Sequence, residues 1–356
     1  MALDLARLAK NRFLVIGRAG MDLYPDPPGT RIEDATHFEC ALGGSSANIC
    51  VAIARQGGQA ALLTCVSDDA VGRYCLDQLD RYGIDRRHVR IEGGEARNSL
   101  ALAESRIEEH QSVIYRNGAA DFGMTEVDVR AVDYADYGAL ITTGTVLAAE
   151  PSRRATFEAF RLARSAGLPL VFDVDYRPYS WPSAEDAAAT YSAAGEQCDI
   201  IVGNDVEFGF MAGDPAKGLD KARELARTSA SLVIYKMGEK GSITLTRDDE
   251  FRTGIYPADA LKPTGAGDSF MGGLVASLAK GLSLADAVRR GSACASLVVG
   301  VESESLDVQA PASSGMRTSA ARPRRYFEER LIDMTDGLSR SALESNTVRS
   351  RWRTSR

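Results

Sequence analysis

FLVIG, Phe13–Gly17, is a short apolar run closed by glycine, and it sets the pattern by which the rest of the chain reads. Five further runs of this kind follow: ALLTCV at Ala61–Val66, ALITTG at Ala139–Gly144, LVFDVD at Leu170–Asp175, DIIVGN at Asp199–Asn204 and LVIYKMG at Leu232–Gly238. Runs without polar alternation read as strands buried on both faces, and the amphipathic stretches between them as crossover helices. The predicted fold is an α/β domain of three layers, α/β/α, around a parallel sheet.

Two segments break that rhythm. Met21–Leu42 and Asn98–Tyr115 carry extended, partly alternating patterns such as SLALAESRI, with Pro25, Pro27, Pro28 and Gly29 marking a turn between them and the core. They read as strands outside the main sheet, within about 21–42 and 98–116, forming a small lid, with ordinary surface hairpins as the plain alternative. From about Val301 the periodicity fades into VESESLDVQAPASSGMRTSAARPRR. This divides the chain into a main domain over 1–303 and a mobile or loosely docked tail over 304–356, with one helix in YFEERLIDM.

Against 42 Lys plus Arg stand 49 Asp plus Glu, a net charge of -7. That balance weighs against a nonspecific grip on nucleic acid or on anionic membrane. Nothing approaches the ~18 consecutive apolar residues of a membrane span, and no signal core opens the chain, so a soluble cytoplasmic protein is expected. Six scattered cysteines, Cys40, Cys50, Cys65, Cys75, Cys198 and Cys294, form no CxxC pair, and read as reduced, mostly buried thiols.

Chemistry concentrates in PTGAGDSFMGG, Pro263–Gly273. Small residues at Gly265, Ala266 and Gly267 let a ligand approach the backbone, and the helix that follows aims its unpaired N–H groups at the same place. Asp268 in the first turn is positioned to accept a proton from an attacking hydroxyl, or is simply a helix cap. In LGGSSANICVAIARQG, Leu42–Gly57, Gly43 and Gly44 permit a tight turn and Asn48 offers a donor and an acceptor to a polyol. Asp22, in IGRAGMDLYP, lies past the carboxyl end of the first strand, where open α/β sheets bind ligands; a turn or cap role is the alternative. No GxxxxGK[ST] loop and no GxSxG elbow occurs, and the three histidines, His37, His88 and His110, read as surface or satisfied groups.

Taken in order, the early Asp, GGSSAN, NDVE and TGAGDSFMGG resemble the ribokinase, or PfkB, family of carbohydrate kinases over roughly Arg12–Val299. The resemblance implies a ribokinase-like fold with a β lid, ATP beside the GAGD helix and a sugar under the lid. By it, Asp268 matches the catalytic base and Gly265, Ala266 and Gly267 the anion hole. Asp22, Gly43, Gly44 and Asn48 match sugar-contacting positions. Asn204 and Glu207 match a pair that positions Mg2+ and phosphates through water, with Glu207 the metal-side residue. Lys236, Gly238 and Gly241, in KMGEKG, match a loop bordering the nucleotide, as does Thr264. IGRAGMDLYPDPPGTRIEDA, YRNGAAD, DVDYRPYSW and KPTGAGD are similar to a branch that phosphorylates the C6 hydroxyl of a keto-deoxy sugar acid in myo-inositol breakdown.

For such an acid, or for an ATP phosphate, Arg116 and Arg177 are the cationic candidates, with a surface ion pair as the plain reading of each. Lys262 stands where ribokinases usually carry Asp, which implies that activation by K+ is weakened or lost. The rivals are a 2-keto-3-deoxygluconate kinase, a fructokinase, and a non-catalytic sugar-binding regulator. The family's habit of pairing lid strands between subunits implies a homodimer.

Overall fold

The computed structural model describes residues 5–106, 109–256, 258 and 264–299. Along them run the strands β1 Arg12–Ile16, β2 Gly20–Asp26, β3 His37–Gly43, β4 Gln59–Ser67, β5 Asp85–Glu92, β6 Leu100–Ala103, β7 Ser112–Tyr115, β8 Ala139–Thr143, β9 Leu170–Asp173, β10 Ile200–Asn204, β11 Leu232–Lys236, β12 Ser242–Leu245 and β13 Glu250–Thr253. The helices are α1 Leu5–Leu8, α2 Ser45–Arg55, α3 Ala70–Arg81, α4 Glu126–Arg130, α5 Ser152–Ser165, α6 Ala184–Gly195, α7 Asp205–Met211, α8 Gly218–Thr228, α9 Ala266–Ala279 and α10 Leu284–Val299.

The main sheet has the order β13-β12-β11-β10-β9-β8-β1-β4-β5. It is parallel except for the antiparallel β12 and β13 at one edge. Every run read from the sequence as a strand is one. Alternate residues feed two cores: Phe13 and Val15 pack with α1, α2, α3, α9 and α10, while Leu14 and Ile16 pack with α4 to α8. This is the three-layer arrangement the unbroken apolar runs require, since a strand covered on both faces has no polar side to show.

Three sheet members were not legible as strands. β5, DRRHVRIE, is an edge strand rich in charge, the composition that keeps an open edge from pairing with other chains. β12 and β13 are four residues each and close the opposite edge as a hairpin.

A second sheet, β3-β2-β6-β7, stands apart from the first. β2 pairs antiparallel with β3 and parallel with β6, and β6 pairs antiparallel with β7. The proline reading needs correcting here: Pro25 lies inside β2, opposite Phe38. The turn is at Pro27 to Thr30, whose N–H donates to the Pro27 carbonyl at 3.2 Å, and it joins β2 to β3 rather than the sheet to the core. The expected tail and its helix lie outside the described residues.

α9 is seated by two small residues. A Cβ on Gly272 would stand 2.4 Å from the Ala52 Cβ and 3.0 Å from the Ile53 nitrogen in α2, and one on Gly273 would stand 2.7 Å from the Cys294 Sγ in α10. Only glycine lets the helices approach this closely. Gly272→Val is therefore expected to cost about 1–3 kcal/mol of stability, the scale of overpacking a core. Gly93→Ala, where an added Cβ meets nothing within 4 Å, is the control. Urea unfolding midpoints check both; equal midpoints would contradict this account of the α2 contact.

Candidate active site

The carboxyl ends of β9, β10 and β11 look onto a cleft of about 1110 Å3. Asp173, Asn204 and Lys236 line it from those strands, Asp22, Ala101, Ala103, Ser112 and Ile114 from the small sheet, and Thr264 to Asp268 from the start of α9. The cleft therefore joins both sheets at the place where parallel α/β sheets gather ligands.

At one end α9 begins. Gly265, its N-cap, has φ +79, a left-handed backbone that suits glycine. The first N–H groups of a helix have no partner within it, and its dipole leaves that end positive, so Ala266 and Gly267 present an anion-binding turn. A Cβ on Gly267 would lie 3.3 Å from the Lys236 Nζ, which places an ammonium beside the same turn. Asp268 is in that turn and lines the cleft. Anion-binding groups and a carboxylate are thus brought together, the combination needed to hold a phosphoryl group and take a proton from a nucleophile.

Behind Lys236 lie buried acids. Burial pushes the Asp173 carboxyl up, Lys236 opposes, Asp175 and Glu207 add, and it comes to rest at about 7. Burial raises Glu207 as well, against Lys236 and its bond from the Asn204 N–H. Asn204 and Glu207 cap α7 reciprocally: the Asn204 side-chain oxygen accepts from the Glu207 N–H at 2.9 Å, and Glu207 Oε2 accepts from the Asn204 N–H at 2.7 Å. Glu207 Oε1 accepts from the Tyr176 N–H at 3.3 Å. With both carboxylate oxygens engaged, Glu207 fits an ion met through water better than one bound directly. Among the described residues no cluster of three or more acids, histidines or cysteines could hold a metal by itself.

At the other end the small sheet closes over α2. Gly43 is not on the cleft wall: a Cβ there would stand 1.9 Å from Asp22 Oδ1, so its smallness makes room for the Asp22 carboxylate rather than for a ligand. Asp22 itself is a buried residue of β2, neither a turn nor a cap, and further from β1 than the sequence suggested. Gly44, at φ +98, and Asn48 do line the cleft.

Arg116 and Arg177 line it too, but both are committed to acids. Arg116 forms a close buried ion pair with Asp121, donates to the Thr145 carbonyl at 3.0 Å, and lies 4.2 Å over the Phe122 ring. Arg177 pairs with Asp175 at 2.7 Å. Burial works against the charged Asp175, yet Arg177, helped by Ser45, Arg18 and Arg116, holds its carboxyl below the ordinary range.

Of the residues singled out in the sequence, Asp22, Gly44, Asn48, Arg116, Arg177, Asn204, Glu207, Lys236, Gly238, Gly241, Thr264, Gly265, Ala266, Gly267 and Asp268 meet around this one cleft. Lys262 lies outside the described residues. Arg18, Asp173, Asp175 and Tyr179 were missed, and His110, read as a surface group, also reaches the cleft. A signal was present: Arg18 follows FLVIG directly, and Asp173 and Asp175 close LVFDVD, so all three sit where an apolar strand ends. Among the described residues no helix is long and apolar enough to cross a membrane, and all six cysteines are unpaired, with Cys40 alone exposed.

The pfkB family carbohydrate kinase pattern matches residues 10–310. A 5-dehydro-2-deoxygluconokinase of Photobacterium profundum is 38% identical over 291 residues, 80% of this chain and 88% of that protein. One from Geobacillus thermodenitrificans is 34% identical over 81% of this chain and 87% of its own. Among solved structures, the PfkB protein of a Polaromonas species superposes with a TM-score of 0.72 at 26% identity, covering 82% of this chain and 97% of its own. A fructokinase double mutant of Vibrio cholerae, bound to fructose, ADP and potassium ion, gives 0.73 at 25% identity over 82% and 93%.

The Asp173 carboxyl supplies a test of the site's electrostatics. Its shift from 3.8 to about 7 means that the folded protein binds a proton that the unfolded chain releases across that window. This contribution to stability is present at low pH and is lost as pH rises through about 7. Asp173→Asn imitates the protonated form, so its melting temperature is expected to gain on the parent's as pH is raised from about 5 to 8. A difference that stays constant across the series would refute the assignment.

Proposed function

This chain belongs to the pfkB family of carbohydrate kinases, and we propose that it transfers the γ-phosphoryl group of ATP to O6 of 5-dehydro-2-deoxy-D-gluconate, a step of myo-inositol catabolism. The observation that carries the reading is the meeting of Asp268 and the α9 turn with Asp22 and Asn48 in one cleft.

Asp22 and Asn48 bind the sugar's hydroxyls, and the primary hydroxyl is directed toward Asp268, which takes its proton as the oxygen attacks phosphorus. The N–H groups of Gly265, Ala266 and Gly267, with the Lys236 ammonium, stabilise charge that builds on the transferring group. Thr264, Gly238 and Gly241 border the nucleotide, and its base rests on an apolar wall that includes Ile255, 43% exposed although hydrophobic, and Val299. Asn204 and Glu207 would hold, through water, the Mg2+ that accompanies ATP, which would neutralise phosphate charge there. The small sheet acts as a lid over 21–42 and 98–116, excluding water and limiting ATP hydrolysis. Edge strand β7, with Val113 and Tyr115 exposed at 41% and 62%, supports a homodimer formed through that sheet, which sedimentation velocity would detect.

A coupled ADP-release assay across sugar acids and neutral sugars tests the reading. The keto-deoxy acid is expected to be the best acceptor; preference for fructose or 2-keto-3-deoxygluconate would move the protein elsewhere in the family, and no transfer to any sugar would leave a binding protein. Asp268→Asn is expected to retain ATP binding and lower kcat by roughly 10²-fold or more, the scale of a lost general base. A folded variant with near-parental turnover would remove Asp268 from that role.

A further inference from the structure

Three arginines line the cleft, and their surroundings differ. Arg116 and Arg177 meet Asp121 and Asp175, so their charges are already balanced. Arg18 lies just past the carboxyl end of β1 and is 8% exposed. Its Nη1 donates to the Ser99 hydroxyl at 2.9 Å, and among the described residues no carboxylate forms an ion pair with it. Asp175, whose carboxyl senses its charge, is occupied by Arg177.

The position is built rather than incidental. A Cβ on Gly20 would stand 3.1 Å from Arg18 Nη1 and 2.7 Å from the Ser99 Oγ, so a side chain at Gly20 would expel the guanidinium from its seat. Ser99 is fully buried and its own carbonyl accepts from the Met21 N–H at 3.2 Å, which fixes the hydroxyl to β2. A guanidinium carries five N–H donors, and the serine takes one. A buried cation without a counter-charge is unfavourable until an anion joins it, and the planar fork suits a carboxylate.

We propose that Arg18 is the specificity-determining residue that binds the substrate's carboxylate, while Arg116 and Arg177, held by their acids, shape the pocket around it. The inference rests on the sugar-acid reading above. It moves recognition of the acid from the two arginines that the sequence suggested to one held ready beside Ser99.

The test compares 5-dehydro-2-deoxygluconate with its primary amide, which keeps the shape and removes the charge. The parent enzyme is expected to favour the acid by on the order of tenfold or more in kcat/KM, the scale of one charged hydrogen bond. Arg18→Met should abolish that preference by raising KM for the acid without moving KM for ATP, and Arg18→Lys should keep part of it. Ser99→Ala, which leaves the charge but loosens its seat, should weaken the preference and carries the test if Arg18→Met does not fold. An acid preference unchanged in the folded Arg18 variants, or in both Arg18→Lys and Ser99→Ala, overturns the inference and leaves the sugar-acid reading standing. A parent that phosphorylates acid and amide equally overturns the sugar-acid reading itself, whatever the variants do.

Discussion

The site depends on where one helix is allowed to begin. α9 can offer its first N–H groups to the cleft because Gly272 and Gly273 let it lie close against Ala52 of α2 and Cys294 of α10 with no side chain of its own in between. Larger residues there would push the helix away from the strand ends and carry the GAG turn and Asp268 with it. The left-handed Gly265 then turns the chain into the helix at the point where Lys236 arrives from β11. A packing constraint in the interior thus becomes a positional constraint on the chemistry.

The charges in the cleft follow a consistent logic. Acids sit where strands end, and burial would neutralise them unless cations stand close. Lys236 serves Asp173 and Glu207, and Arg177 serves Asp175. Asp173 is raised and Asp175 lowered because Lys236 only partly offsets the burial of the first, whereas Arg177 holds the second in an ion pair at 2.7 Å. Among the three arginines of the cleft, Arg18 alone has no ion pair among the described residues, and the start of α9 offers free N–H groups; these are the two places suited to anionic parts of a ligand.

Much of this was legible in the sequence because buried parallel strands and glycine turns leave local signatures. FLVIG and its five companions named the centre of the sheet, and GAGD and GGSSAN named the turns. β5 and β13 escaped because edge strands meet water on one side, so their composition looks like that of a loop, and β12, SITL, because four residues make too short a run to stand out. Gly43 was assigned to the ligand because sequence records that a residue is small but not what fills the space; here the Asp22 carboxylate does. Arg116 and Arg177 were recognisable as cations, and Asp121 and Asp175, five residues after the one and two before the other, as acids nearby, but spacing alone does not show that the side chains meet. Arg18 was overlooked for the same reason: a lone arginine acquires meaning only once its missing counter-ion can be seen.

The small sheet owns little interior. Tyr24, Ala41 and Ala103 form a hydrophobic cluster of their own, separate from the two large cores that hold the main sheet. Substitutions among its cleft-facing residues, such as Ala101, Ser112 and Ile114, therefore draw on a stability reserve that the rest of the molecule does not share. On the reading proposed above, the sugar contacts of this part of the protein can change while the turn at the start of α9, anchored in a large core, is left in place. On that reading, substrate range and folding depend on different stretches of the same chain.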